Sequence, residues 1–394
     1  MPQPLRVKPG APFNAAALNS DAVKVVRRLL EFGHEAYFVG GCVRDMLLGL
    51  TPKDFDIATA ATPRQIKRLF RNSRVIGRRF RLVHVVFGAH ILEVSTFRAL
   101  TPPRPVGTDP LIREDNEWGT ASEDALRRDF TANGLFYDIA SGEVIDYVNG
   151  LRDLDRRRIE TIGDPWERFR EDPVRMLRAT KFAGRLGLHL ADDVYQAMVD
   201  CAEDMRKTSG PRVHEEILRV TERGGATLAV SLLEKTGLLS VILPEVEASL
   251  RAEWARGITP AAWGRFAALD RRARAGEDMP PVVRLAVLLG TLVEPFCTDL
   301  SLELTPGQAM ADIENALAPT LQRLHMARRD VWKLKQLYFA QRRLMAPPDV
   351  RRKPPAHAFA RREYFHEALI YMQLTAEATG QFVPEAEAWS RVRA

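Results

Sequence analysis

The chain has 394 residues, of which 46% are hydrophobic and 27% charged, with a net charge of +6. That length supports two or three domains whose cores need no disulfide or metal staple, and the composition excludes collagenous, disordered and membrane-embedded classes. The charge is local: Arg64 to Arg81 holds eight basic residues and no acid, Arg323 to Arg362 holds twelve against two acids, and the remainder carries −12.

In chain order, the proline-rich start (Pro2, Pro4, Pro9, Pro12) reads as an extended arm over residues 1–18, leading to a helix capped near Asn19 or Ser20. Ala36 to Val39 is a short strand, Gly40-Gly41 a tight turn, and Val43 to Leu48 a short helix stopped by Gly49. Phe55 to Ala58 reads as the next strand, and Thr62-Pro63 opens a helix through Phe70. Leu82 to Phe87 and Ile91 to Phe97 are β-rich and close enough for a hairpin. Leu100 to Thr120 carries neither helical nor strand periodicity and reads as a long loop. A strand at Glu143 to Tyr147 and a basic, hairpin-like piece at Arg156 to Glu160 follow, and the α/β head closes at Gly163. From Pro165 helical spacing takes over, first around Val174, Leu177, Lys181 and Phe182, then at Val194 to Met205, Val213 to Val220, Thr227 to Thr236 and Arg284 to Val293. The predicted organisation is an arm (1–18), a mixed-sheet head with helices (19–163), and an all-α neck (164–225), body (226–345) and C-terminal basic linker and helix (346–394).

Cys42, Cys201 and Cys297 are odd in number and scattered, which suits reduced thiols and forms no zinc spacing. The longest apolar run, near Leu285 to Val293, is too short to span a bilayer, and no charged stretch followed by an apolar core marks a secretory leader. The expectation is a cytoplasmic monomer without an integral membrane segment.

Asp54 and Asp56 stand one residue apart on an extended segment, so their carboxylates share a face and repel unless a cation lies between them. Magnesium, which takes carboxylates, waters and substrate phosphates, is the natural solution; an acid pair capping a turn is the alternative. Gly40 and Gly41 supply free N–H groups at a helix start, and Arg44 adds a cation one turn in. Glycine turn, arginine and acidic pair together suit a nucleoside triphosphate, although no Walker lysine follows.

FVGGCVRDMLLGLTPKDFDIAT at 38–59, ILEVSTFR at 91–98, RRDFTANGLFYD at 127–138 and RRRIETIGDPWERFREDPVRMLRATKFAGRLGL at 156–188 resemble, in order, the motifs of class II template-independent RNA nucleotidyltransferases. That family comprises the tRNA CCA-adding enzymes and bacterial poly(A) polymerases, with a nucleotidyltransferase head and a helical neck, body and tail. The resemblance implies that Asp54 and Asp56 bind two Mg2+ ions, that Glu93 is the third acid, and that Asp129 organises the site. It also implies nucleotide contacts from Gly40, Gly41, Arg44, Arg127 and Arg128, and base reading by Asp172 and Arg175, taken as neighbours on one helix face, with Arg178 on the following turn.

VIGRRFRLVH at 75–84 is similar to the stretch typical of the poly(A) branch, and Arg78, Arg79 and Arg81 are candidate RNA or triphosphate contacts. Arg328, Arg329, Lys333 and Lys335, on a helix with Trp332 and Tyr338, and then Arg342, Arg343, Arg351, Arg352 and Lys353, form a second candidate RNA track. Trp332, Leu334 and Leu337 read equally well as the apolar stripe of a core helix. The resemblance therefore implies AMP transfer from ATP to RNA 3′ ends, with CCA addition to tRNA as the alternative and an inactive RNA-binding module as a remote one.

Overall fold

The structure, a computed structural model, describes residues 3–77, 81–88, 90–100, 117–298, 304–349 and 354–392. Arg78, Arg79, Arg351, Arg352, Lys353 and most of the predicted 100–120 loop lie outside the described residues. The chain forms two compact units, Met1–Asp172 with His189–Ala197, and Pro173–Leu188 with Met198–Ala394. Among the described residues no helix is long and apolar enough to cross a membrane.

The first unit is built on an eight-stranded mixed sheet. Its strands are β1 (Leu5–Val7), β2 (Ala36–Val39), β3 (Ile57–Thr59), β4 (Ser73–Ile76), β5 (Leu82–Phe87), β6 (His90–Thr96), β7 (Leu135–Asp138) and β8 (Glu143–Asp146), in the order β1-β8-β7-β2-β3-β6-β5-β4. Among the described residues of this sheet only β3 and β6 pair in parallel. Strand β2 is buried along its whole length because it sits mid-sheet, and the N-terminal arm closes one edge by pairing with β8. The sheet's face packs Tyr37, Phe97, Phe136 and Ile145 against Ala121 and Ala125.

Helix ends follow the capping chemistry of the sequence. Helix α1 (Ser20–Glu31) starts at Asn19, whose side chain accepts from Asp21 and Ala22 N–H. Helix α2 (Gly41–Leu47) follows the glycine turn, and α3 (Pro63–Leu69) opens with a Thr62–Gln65 capping box. Helix α4 (Ala121–Arg127) opens with another, Thr120–Glu123. That T-x-x-E signal stood in the sequence and would have located a helix that periodicity passed over.

Helix α5 (Gly150–Asp155) precedes the residues read as a basic hairpin. Arg158–Ile159 instead pairs in parallel with His189–Leu190, a partner thirty-one positions on that local reading could not supply. The strand expected at 55–58 begins at Ile57, so Asp54 and Asp56 lie on the non-strand run that feeds it.

The second unit is helical. Here α7 (Val174–Leu186), which follows α6 (Pro165–Glu171) of the first unit, lies close against the Ala226–Lys235 helix. A Cβ on Gly184 would come within 2.2 Å of the Gly225 carbonyl, so only glycine permits that approach. The body is pinned by Tyr338, whose hydroxyl donates to the Ala286 carbonyl at 2.7 Å, and by fully buried Arg265 paired with Glu294. The C-terminal segment belongs to this packing. Trp389 is 1% exposed, donates to the Ala346 carbonyl and stacks edgewise on Phe359 and Phe365.

Candidate active site

The sheet positions the site by pairing. Parallel β3 and β6 set Ile57 opposite Val94, so Asp56, just before β3, comes beside Glu93 on β6. Both line a cavity of about 190 Å3 with Val39, Ile57, Leu82, Ser95, Arg98, Asp124 and Arg128. His84, opposite Glu93 on β5, places Nε2 3.4 Å from its carboxylate. Asp54 is exposed, and Phe55 between the two aspartates turns the other way to pack on Phe38, the alternation that an extended segment requires.

Burial, then the charges of Glu93 and Asp54, push the Asp56 carboxyl up to about 6, against the opposing pull of Arg128 and Arg44. A half-buried carboxylate so disfavoured is one that a cation would relieve. Among the described residues no group of three or more His, Cys, Asp and Glu side chains makes a metal cage. Magnesium does not need one, since it keeps several waters and takes one or two carboxylates plus phosphate oxygens. The donor set therefore fits that ion and not a structural zinc.

The glycine turn lies close against Arg128. Gly40 has φ +72, and a Cβ there would sit 3.0 Å from the Arg128 guanidinium. Gly40→Ala is expected to cost about 1–2 kcal/mol of stability from the backbone alone and to displace Arg128. Gly41→Ala, whose Cβ meets only an ordinary 3.6 Å contact, should leave stability nearly unchanged. Urea unfolding of the pair checks this.

Arg44 differs from its expected posture. It is 3% exposed, and its guanidinium donates to Asp45 Oδ1 at 3.0 and 2.6 Å and to Asn133 Oδ1, locking α2 to the turn before β7. Arg127 is buried at the end of α4 and Asp129 is half-buried; neither lines the cavity, whereas Arg128 does. Arg168 on α6 donates to the carbonyls of both Arg127 and Arg128, at 3.0 and 2.6 Å.

Asp172 and Arg175 do not share a helix face. Asp172 is the extended C-cap of α6 (φ −150, ψ 90), and Arg175 lies in the first turn of α7, after Pro173. The proline explains the break, because the residue before proline is barred from helical geometry. Both side chains are buried. Further along α7, Arg178 and Lys181 each lie 3.2 Å from buried Glu216.

Several described members of the second basic track have partners, Arg329 and Glu363 forming theirs at an exposed surface. Arg329 pairs with Glu363, Lys333 with Glu363 and Glu367, and Lys335 with Glu314. Arg342 donates to the Phe296 carbonyl, and Arg343 donates to the Pro354 carbonyl and stacks over Phe359. Arg328 and Arg81 are exposed, as is Trp332, while Leu334, Leu337 and Tyr338 form the buried stripe. Sequence reasoning missed Arg98, Asp124 and Arg168, whose importance lies in contacts between distant segments.

Comparison with known proteins agrees with this architecture. Residues 36–160 match the poly A polymerase head domain, and residues 187–250 match the probable RNA and SrmB-binding site of polymerase A. Poly(A) polymerase I of Salmonella typhimurium is 43% identical over 238 residues, 58% of this chain and 51% of that protein. A CCA-adding enzyme of Geobacillus is 37% identical over 243 residues, 59% of this chain and 58% of that protein. The chain thus spans about half the length of the curated relatives it matches. The crystal structure of the Bacillus stearothermophilus CCA-adding enzyme in complex with CTP aligns with a TM-score of 0.66 and 27% identity, covering 97% of this chain and 82% of that one.

A mixed-sheet head with an acid-and-arginine cavity, followed by a helical region, is the construction of a template-independent RNA nucleotidyltransferase. The two matched domains, and the poly(A) polymerases and CCA-adding enzymes that align with the chain, are consistent with the tRNA nucleotidyltransferase/poly(A) polymerase family.

Proposed function

We propose that the protein is a poly(A) polymerase that transfers AMP from ATP to RNA 3′ ends and releases pyrophosphate, supporting mRNA polyadenylation and turnover in the cytoplasm. The observation that carries the choice of ATP is the higher identity to poly(A) polymerase I, 43% against 37% for the CCA-adding relative over a similar length. The VIGRRFRLVH stretch supports the same branch. CCA addition to tRNA is the second reading, favoured by the whole-chain likeness to an enzyme solved with CTP.

In this reading Asp54 and Asp56, with Glu93, would hold two Mg2+ ions, which when bound activate the RNA 3′-hydroxyl and neutralise the leaving pyrophosphate. Arg128 lines the same cavity and meets phosphate charge with a fixed guanidinium. Arg127, Asp129 and Arg168 act on the backbone that carries Arg128, and Gly40 leaves room for it. Asp172, Arg175 and Arg178 are the base-reading set. The exposed Arg81 and Arg328 start the two RNA-tracking surfaces, and binding there should weaken steeply with salt.

The test supplies Mg2+ and either a generic RNA or a tRNA lacking its CCA end, with ATP alone, CTP alone or both, and sequences the products. Long A tracts from ATP alone on generic RNA are expected. A C-C-A that stops and needs CTP establishes the second reading, and no extension under any condition defeats both.

A further inference from the structure

Asp124 belongs to none of the motifs that carry the family resemblance, yet it is the most heavily engaged carboxylate of the cavity. It lies on α4, 1% exposed, with both oxygens occupied. Oδ1 accepts from Arg98 Nε at 2.8 Å and from Arg98 N–H at 3.3 Å. Oδ2 accepts from Arg128 Nη2 at 2.8 Å and Nε at 3.1 Å. Arg128 is further fixed by lying over the Phe136 ring, 5.2 Å from its centroid, and by donating to the Asn133 carbonyl. Arg98 is fixed at its backbone by the bridge to Trp118.

The two guanidiniums come from segments thirty residues apart and line the same cavity as Asp56 and Glu93. Two cations held together repel, and burying three ions costs more than an apolar packing of equal volume would. A network this expensive, open on one side to a cavity lined by acids, is arranged for an anion. Asp124 cancels one of the two positive charges, sets both guanidinium planes, and leaves a net positive charge in the lining of the cavity that Asp56 and Glu93 share.

We propose that Asp124 is a positioning residue that holds Arg98 and Arg128 as a two-guanidinium cradle for the phosphate chain of a nucleoside triphosphate, and that Arg98 is a further substrate-contacting residue. The inference rests on the nucleotidyl-transfer reading and deepens it by naming what grips the phosphates. The carboxylates of Asp56 and Glu93 cannot do so themselves, since they repel phosphate, so opposing cations must fix that end of the substrate.

The experiment compares the parent with Asp124→Asn, Asp124→Glu and Arg98→Gln, measuring dissociation constants for ATP and for adenosine with Mg2+ and without RNA, then KM and kcat for RNA extension. Asp124→Asn and Arg98→Gln should each weaken ATP roughly tenfold, the scale of one charge-assisted contact, while adenosine binding stays within about twofold. KM for ATP should rise more than kcat falls, Asp124→Glu should recover part of the loss, and the Asn and Gln changes combined should be less than additive because they disable one cradle. Equal weakening of ATP and adenosine, or a fall in kcat alone at unchanged KM, overturns the proposal and leaves Asp124 a structural ion. Should Asp124→Asn fail to fold, Arg98→Gln carries the test alone, because it keeps the buried carboxylate and its Arg128 pair. A parent that binds ATP but extends no RNA defeats the nucleotidyl-transfer reading without touching the cradle; an active parent whose variants keep the ATP-to-adenosine ratio defeats the cradle alone.

Discussion

Asp56→Asn is expected to lower nucleotide addition to RNA by about 10²–10³-fold or more, the scale on which a single charge-stabilising group at a reacting centre acts. Asp56 is the carboxylate that the sheet delivers into the cavity beside Glu93, while Asp54 is exposed and does not line it. Asparagine keeps the shape and removes the charge, so circular dichroism should be unchanged while incorporation of labelled AMP collapses.

The same substitution should act on stability in the opposite sense. Folding raises the Asp56 pKa from 3.8 to about 6, through burial first and Glu93 second. A carboxyl that binds its proton more tightly when folded favours the fold at low pH, and that contribution is lost as pH rises from about 4 through 6. In metal-free buffer above pH 6, Asp56→Asn should therefore be more stable than the parent by up to ~2–3 kcal/mol, with the gap closing below about pH 4. Added Mg2+ should stabilise the parent and not the variant. Denaturant unfolding at three pH values, with and without Mg2+, reads both effects.

Arg168→Ala is expected to cost about 3 kcal/mol and to lower activity with it. Helix α4 ends at Arg127, so its last carbonyls have no helical partner, and Arg168 fills that role for Arg127 and Arg128 while pairing with Glu171. Alanine would leave two carbonyls there unsatisfied, at about 1–3 kcal/mol each. Arg168→Lys keeps a cation at the helix end and should recover part of the loss. Urea midpoints order the three proteins, and an alanine variant as stable as the parent would show that the clamp contributes nothing.

What could be read in advance was whatever depends on near neighbours in sequence. Ala36–Val39, the β5–β6 hairpin, the Asn19 cap and the Thr62-Pro63 helix start are local signals, and the structure has them where composition put them. Of the acid pair the sequence marked, Asp56 lines the cavity and Asp54 does not. Strand β4 was overlooked because its Ser-Arg-Val-Ile run is short and, as an edge strand, half exposed. Asp172 and Arg175 were put on one helix because spacing was weighed above the restriction that Pro173 imposes on its predecessor. The second basic track looked like free charge because its partners, Glu314 and Glu367 on helices and Glu363 in the turn before one, are brought to Arg329, Lys333 and Lys335 only by packing. Asp124 carried only one local mark, its i,i+4 spacing to Arg128. Its meaning comes from Arg98 and Arg128, which meet only when the sheet is assembled.

The most direct measurement of the central claim is pyrophosphate release from ATP and Mg2+ on addition of an RNA ending in a 3′-hydroxyl, set beside the same RNA ending in a 3′-deoxynucleotide. Nucleotidyl transfer at the Asp56–Glu93 cavity predicts one pyrophosphate for each AMP joined to the hydroxyl-ended RNA and none above background with the deoxy end. Equal release from both RNAs, or AMP incorporation without pyrophosphate, would contradict it.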